Sequence, residues 1–474
     1  MQNDLISSAI LKAFSHTPTK DQRELINQLS IFIENRRNDN AFLLKGYAGT
    51  GKTTIISSLV KVLPSFGINT VLMAPTGRAA KVLAGYSGKA AFTIHKIVYR
   101  LIVQSEGPAK LSLQQNKFSN SIFLVDEASM IQGSKSEQSD LFGGINLLDD
   151  LVQFITGGEN CSLILVGDSA QLPPVFSPES PALNERYLSD RFNLNIMSFE
   201  LKEVVRQAQK SGILFNATAI RKMLGEKKPK LPFFNLSGFT DFVRLSGQDV
   251  SDEINAAFMS NELHQSVIIC RSNKQANRFN QYIRNRVLFR EDEISSGDLL
   301  MVVKNNYFWL SDNSHAGFIA NGDIIEIKRI HRIEEFYGFR FASVTARMID
   351  FPDNPDLEVK LLLNTIETEG PALSETDQNN LFARVEADYS ELPKKSARLE
   401  KIRNNPHYNA LQVKFAYALT CHKSQGGQWS KVFVEKGYLP SGEPDTEYLR
   451  WLYTALTRAT SKVFLLNFTD EYFK

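Results

Sequence analysis

The sequence predicts an α/β protein of two parallel-sheet halves, the first carrying a β-hairpin insertion and the second a β-rich one. Three observations predict it. First, short apolar runs each end in a glycine-rich or polar turn: AFLLKG (41–46), NTVLMAPT (69–76), SIFLVDEAS (121–129) and CSLILVGD (161–168). Such runs read as strands buried on both faces of a parallel sheet, with chemistry at their C-terminal ends. Second, helix-period segments separate most of them. Third, a new series opens with SVIICRSN (266–273) and resumes with LQVKFAYALT (411–420) and KVFLLNF (462–468).

In chain order, the first forty residues show helical spacing, with Thr19 a candidate N-cap for a second helix. Between Tyr99 and Asn120 the alternation breaks, and two short runs flank Glu106-Gly107-Pro108, a hairpin signal. The segment SKSEQSDLFGGIN (134–146) reads as a flexible loop. Residues 296–365 hold successive strand-like runs, DLLMVVKN, DIIEIKRI, RFASVTARMI and EVKLLL, which suggest a small β-barrel-like insertion. The stretch 366–406 is polar and charged, expected as helix or loop.

Composition narrows the function classes. The chain has 474 residues, 43% hydrophobic and 22% charged, and a net charge of +2. A near-neutral balance gives no bulk field for polyanions, so a nucleic-acid groove has to be basic locally. Three cysteines far apart, Cys161, Cys270 and Cys421, fit a reducing compartment rather than a disulfide framework. No run reaches the roughly 20 apolar residues of a membrane span. The N-terminus lacks a basic, then apolar, leader pattern, so a cytoplasmic location is expected.

The chemistry begins at GYAGTGKTT, Gly46 to Thr54, which satisfies G-x-x-x-x-G-K-[ST] between a buried strand and a helix. The glycines let backbone N–H groups curl around phosphate oxygens. Lys52 brings a charge to the β- and γ-phosphates, and Thr53 offers a hydroxyl to Mg²⁺. Gly46, Ala48, Gly49, Thr50, Gly51 and Thr54 complete the expected ATP-binding loop. In LVDEAS, Asp126 is placed to hold Mg²⁺ and Glu127 to orient or deprotonate the attacking water. Gln171, in VGDSAQLPP, follows another buried strand and is a candidate for the γ-phosphate or its water, against a plain turn residue before Pro173.

These residues resemble the superfamily 1 helicases, in the 5′-to-3′ branch of RecD-like, Pif-like and phage Dda-like enzymes. The matches run in family order across both halves: TKDQ with Gln22, GYAGTGKTT, APTGRAAKVL (74–83), FTIHKIV (92–98), LVDEAS, VGDSAQLPP, LKEVVRQ (201–207), VIICRSNKQAN (267–277), ALTCHKSQGGQW and WLYTALTRAT (451–460). The resemblance implies two RecA-like P-loop NTPase lobes closing on ATP. It gives Gln22 an adenine-side role and makes Arg206 and Arg458 arginine fingers. Thr76, Gly77, Arg78, Thr93 and His95 become contacts to the DNA backbone. Its implied bounds are 1–98 and 121–205 for the first lobe, 99–120 for a strand-separating pin, 206–325 and 411–474 for the second lobe, and 326–410 for an SH3-like and helical insertion. The implied activity is an ATP-dependent DNA helicase moving 5′ to 3′, monomeric, acting on single-stranded DNA and duplex junctions in repair, replication or recombination. An RNA-directed helicase and a non-motor nucleotide switch are the alternatives.

The window YALTCHKSQGGQW (417–429) gathers a cysteine, a histidine, a lysine and a serine. Adjacent Cys421 and His422 are poorly placed to ligate one ion, and no partners stand at zinc spacing. Cys421 is expected as a small buried residue. The window reads instead as a coupling loop. Thr420, His422, Lys423 and Ser424 are expected to meet DNA, and Gly426 to approach the nucleotide, its missing side chain permitting close backbone contact.

Overall fold

The computed structural model describes residues 2–473 except 103–109, 134–145, 176, 206–209, 227, 261, 311–317, 352–353 and 440–441. Among the described residues, the first lobe is a six-stranded parallel sheet. Its strand order is Ala91–Thr93, Asn69–Ala74, Ser119–Val125, Glu159–Gly167, Asn40–Gly46, Asn195–Leu201.

Continuous apolarity in the central strands follows from burial of both faces. Phe42 and Leu44 enter one core with Ile122, Leu124, Ile164 and Val166, together with the helix Lys52–Val62. Ala41 and Leu43 enter the opposite core with Phe123, Val125, Leu163 and Leu165. Period-two alternation thus divides each strand between two apolar layers. The helix Lys20–Glu34 is fixed by a capping box in which Thr19 accepts from the Gln22 N–H and the Gln22 side chain returns to the Thr19 N–H.

The second lobe is a five-stranded parallel sheet in the order Ala418–Thr420, Ser266–Cys270, Trp429–Glu435, Ala459–Leu466, Phe242–Arg244. A closed barrel is inserted in it, formed by Leu299–Val302, Ile324–Phe336, Phe339–Met348, Leu357–Leu362 and Leu411–Phe415. The barrel therefore extends beyond 326–410 on both sides. The run LQVKFAYALT is also not one strand: Leu411–Phe415 closes the barrel, and Ala418–Thr420 joins the lobe sheet. Both halves of that run are apolar because both are buried in a core that lobe and barrel share. Tyr417 marks the crossing, its hydroxyl donating to Asp298 Oδ1 at 2.9 Å and accepting from Arg290 Nη1 at 2.9 Å.

The stretch 366–406 carries two helices, Glu375–Ala387 and Lys395–Arg403. The strands Tyr99–Ile102 and Lys110–Leu113 pair antiparallel, and the tip between them lies outside the described residues, as does most of 134–146. Among the described residues no helix is long and apolar enough to cross a membrane.

Candidate active site

The strand Asn40–Gly46 ends under the phosphate loop, and the helix Lys52–Val62 leaves from it. Gly51 has φ +86°, and a Cβ there would lie 2.3 Å from Gln22 Nε2, so both backbone sign and space require glycine. Lys52 Nζ donates to the carbonyls of Gly46 at 2.5 Å and Tyr47 at 3.0 Å. Thr53 is exposed toward the cleft, whereas Thr50 is fully buried and donates its hydroxyl to Tyr47 O at 2.8 Å.

Gln22, expected on the adenine side, has a structural role beside the loop. It is 2% exposed, its Oε1 accepts from the Thr19 N–H at 3.0 Å, and its Nε2 donates to Thr50 O at 2.9 Å. Both ends of the amide are engaged, so Gln22 holds the helix start and the phosphate loop together, with one N–H and one lone pair left over. A Gln three residues after a Thr N-cap is the capping-box signature, and that local signal competed with the family one.

Asp126 follows the strand Ser119–Val125. Its Oδ2 accepts from the Tyr86 hydroxyl at 2.6 Å and its Oδ1 from the Glu127 N–H at 2.9 Å. Burial, then the neighbouring Glu127 charge, raises its pKa, while the Tyr86 and Glu127 hydrogen bonds and Lys52 oppose the rise. Glu127 has φ +52°, a left-handed conformation that turns the chain sharply after the strand.

The second lobe completes the site. Arg458, 4% exposed, brings Nη1 to 3.6 Å from Glu127 Oε1, and its Nε donates to Thr454 O at 3.2 Å. Gln425 Nε2 donates to Leu172 O at 2.7 Å, and Thr454 Oγ1 accepts from the Leu172 N–H at 2.9 Å. Gly426, with φ +74°, lies so close to the first lobe that a Cβ would stand 2.8 Å from Ala79 Cβ. The cleft between the lobes, about 580 Å³, is lined by Ala48, Gly49, Gly51, Lys52, Thr53, Asp126, Glu127, Gln171, Gly426 and Arg458, among others. Gln22, Gly46, Thr50 and Thr54 support the loop without lining the cavity. The Gln171 Oε1 atom is buried and has no hydrogen-bond partner among the described residues. Arg206 lies outside the described residues; at Val205 the chain donates its N–H to Gly49 O at 3.0 Å.

Two residues of the site escaped the sequence reading. Tyr453, on the helix Thr446–Leu456, donates to Asp168 Oδ2 at 2.7 Å and accepts from the Ala48 N–H at 2.8 Å. Tyr86 holds Asp126. The available signal was helix phase: Tyr453 is one turn before Thr457, which lines the same cavity.

The residues expected on DNA divide. Thr76 and Thr93 act as N-caps, their hydroxyl oxygens accepting from the Ala79 and Lys96 N–H groups at 3.2 Å each, which uses a lone pair and not the O–H donor. A Cβ on Gly77 would lie 2.4 Å from Asp323 Oδ1, so the barrel covers this helix start. Arg78 stacks on Trp429 at 3.8 Å and donates to Gln428 O at 3.3 Å, so it joins the lobes instead of standing open for a phosphate. His95 lies against Tyr99 at 5.7 Å, and burial lowers its pKa to about 4, so it carries no charge for a phosphate at neutral pH. Ser424 is fully buried and donates to Cys421 O at 2.8 Å, which removes it from the DNA side. Thr420 leaves its hydroxyl uncommitted as a cap, and His422 remains partly exposed. Lys423 Nζ has no partner among the described residues, and burial, then Lys414, lowers its pKa to about 8. Cys421 is 1% exposed with its thiol pushed up to about 12 by burial, which rules out a poised nucleophile.

Residues 18–230 match the AAA domain family, and residues 415–466 match the UvrD-like helicase C-terminal domain. An uncharacterized protein of Acanthamoeba polyphaga mimivirus is 24% identical over 511 residues, covering 93% of this chain and 98% of that protein. The ATP-dependent DNA helicase Dda of Enterobacteria phage T4 is 25% identical over 295 residues, 60% of each chain. The ATP-dependent RecD2 DNA helicase of Deinococcus radiodurans is 23% identical over 452 residues, 94% of this chain and 50% of that protein, so this chain spans half the length of that relative. A solved Pif1 helicase, studied for unwinding at forked double-stranded DNA, aligns with 97% of this chain and 94% of its own at TM-score 0.50 and 16% identity. That likeness carries the two-lobe architecture. With the phosphate loop in one matched segment and Arg458 in the other, the chain is similar in both halves to the ATP-dependent DNA helicases Dda and RecD2.

Proposed function

We propose that this chain is an ATP- and Mg²⁺-dependent helicase that walks 5′ to 3′ on single-stranded DNA and parts the duplex ahead of it. The observation that carries the reading is the meeting of Glu127 and Arg458 across the cleft at 3.6 Å. The carboxylate suited to activating water belongs to one lobe and the guanidinium suited to the terminal phosphate belongs to the other. Hydrolysis is thereby tied to the separation of the lobes, which is what a motor requires.

Lys52 and the loop N–H groups bind the phosphates. The exposed Thr53 hydroxyl and the Asp126 carboxylate, which keeps lone pairs beyond its two hydrogen bonds, fit Mg²⁺, whose charge supports phosphoryl transfer when bound. Glu127 takes the water's proton, and Gln171 offers its unpartnered Oε1 to the same water. Arg206 and Arg458 counter the charge that develops on the phosphate. On the other side of the sheets, Thr420, His422 and Lys423 meet the DNA backbone, the barrel covers the strand, and the hairpin that begins at Tyr99 splits the duplex. The protein acts as a cytoplasmic monomer.

Lys52→Ala should abolish ATP hydrolysis and unwinding together. Wild-type protein should unwind a 5′-tailed duplex and leave a 3′-tailed one intact, and single-stranded DNA should stimulate its ATPase more than RNA does. Unwinding only from a 3′ tail would overturn the polarity, and a Lys52→Ala variant that still hydrolyses ATP would overturn the site.

A further inference from the structure

Tyr453 is unusual among the buried tyrosines because both its hydrogen bonds cross between lobes. The residue is 1% exposed and sits on the second-lobe helix Thr446–Leu456. Its hydroxyl accepts from the Ala48 N–H of the phosphate loop at 2.8 Å and donates to Asp168 Oδ2 at 2.7 Å. Asp168 follows the first-lobe strand Glu159–Gly167 and is itself 1% exposed, with its other oxygen accepting from the Ala170 N–H at 2.9 Å. One phenol thus joins the loop that takes the phosphates, a buried carboxylate beside it, and the helix that delivers Arg458. Burial raises the Asp168 pKa, while Lys52 and the phenol hydrogen bond oppose the rise.

We propose that Tyr453 is a positioning residue that holds Arg458 at the catalytic carboxylate by tying its helix to Ala48 and Asp168. The helix is also tied to the first lobe through Thr454, whose Oγ1 accepts from the Leu172 N–H at 2.9 Å, but that bond does not reach the phosphate loop. The remaining bonds of Arg458 run to carbonyls of its own lobe, Thr454 O at 3.2 Å and Gly427 O at 3.5 Å, and neither fixes its distance from Glu127. The phenol supplies the constraint that runs from the phosphate loop itself. It is anchored to two first-lobe groups, and a rigid helix end and a single turn connect it to the arginine. Because the anchor on the loop is a backbone N–H, the tie also reports the loop's conformation, and with it phosphate occupancy, to the second lobe. Thr457, one turn after Tyr453, binds Tyr453 O through its hydroxyl at 2.8 Å and stiffens the connection.

The inference rests on the ATPase reading above, and wild-type DNA-stimulated hydrolysis is the control for that reading. Tyr453→Phe keeps the ring and removes only the hydroxyl. It should lower the kcat of DNA-stimulated ATP hydrolysis about tenfold and change KM for ATP less than threefold, while the loss of two buried hydrogen bonds lowers the thermal unfolding midpoint only by about a few degrees and leaves the protein folded at the assay temperature. In an Arg458→Ala background the same change should cost less than twofold, since its target is gone. Asp168→Asn, a second variant that weakens the tie from the first lobe, should show the same dependence on Arg458. An equal loss with and without Arg458, a loss of folded protein that accounts for the rate, or an unaltered kcat would each overturn the proposal.

Discussion

The nucleotide cleft and the loops expected to face DNA arise from the same parallel sheets, yet they use polar side chains in different ways. In the cleft, Lys52, Thr53, Glu127, Gln171 and Arg458 all reach one cavity. In the loops expected to face DNA, Thr76, Thr93 and Ser424 satisfy backbone groups of their own turns, and Arg78 lies on Trp429. A hydroxyl at a helix start is an N-cap before it is anything else, because the first N–H groups of a helix need acceptors. The same residue types therefore signal function in one region and local folding in the other.

The contrast between two arginines tests this most strongly. Arg458 is held at Glu127, whereas Arg78 braces the lobes against each other through an aromatic ring. Arg458→Ala should lower kcat for ATP hydrolysis by about 10³-fold, the lower end of what an arginine finger supplies. A loss of less than tenfold in steady-state turnover would mean that the arginine in the cleft is as structural as the one outside it.

A second test lies within the cleft and reads as a shift rather than a loss. The Tyr86 hydroxyl donates to Asp126 at 2.6 Å and favours its charged form, against burial and Glu127, which raise the pKa. A carboxyl with a raised pKa is ionised only at higher pH, so activity that needs the carboxylate falls as pH drops through that value. Tyr86→Phe removes the opposing hydrogen bond and raises the pKa further. The acid limb of the kcat/KM profile should move toward neutral pH, while the alkaline limb stays in place. A profile that moves the other way, or does not move, would show that another group sets the limb.

Legibility in the sequence follows the same division. The P-loop, the Asp126-Glu127 pair and the buried strands were readable because residue type, spacing and flanking apolar runs all pointed one way. The capping-box role of Gln22 went unread because the family role occupies the same position. Tyr453 and Tyr86 were missed because a tyrosine in an apolar helix reads as core, and only the folded chain reveals what its hydroxyl meets. The join at 411–420 was misread because barrel and lobe share one apolar core, so hydrophobicity does not break at the boundary. Strand Asn195–Leu201 went unmarked because it lies at the sheet edge and is half-buried along most of its length.

The smallest expected effect separates two neighbours in the coupling loop. Ser424 is fully buried and bonded to Cys421 O, while His422, two residues earlier, is partly exposed with its pKa lowered by burial. If exposure decides which of them serves DNA, His422→Ala should weaken the stimulation of ATPase by single-stranded DNA several-fold, more than it weakens basal hydrolysis. Ser424→Ala should instead lower stability by about 1 kcal/mol, the typical value of one hydrogen bond, and leave the concentration of DNA needed for half-stimulation unaltered. Chemical unfolding and DNA titrations on the two variants read these outcomes separately. A Ser424→Ala variant with weakened DNA response and wild-type stability would mean that this loop opens on DNA and exposes the serine, and the division between cleft and DNA side would then belong to one state of the molecule rather than to its sequence.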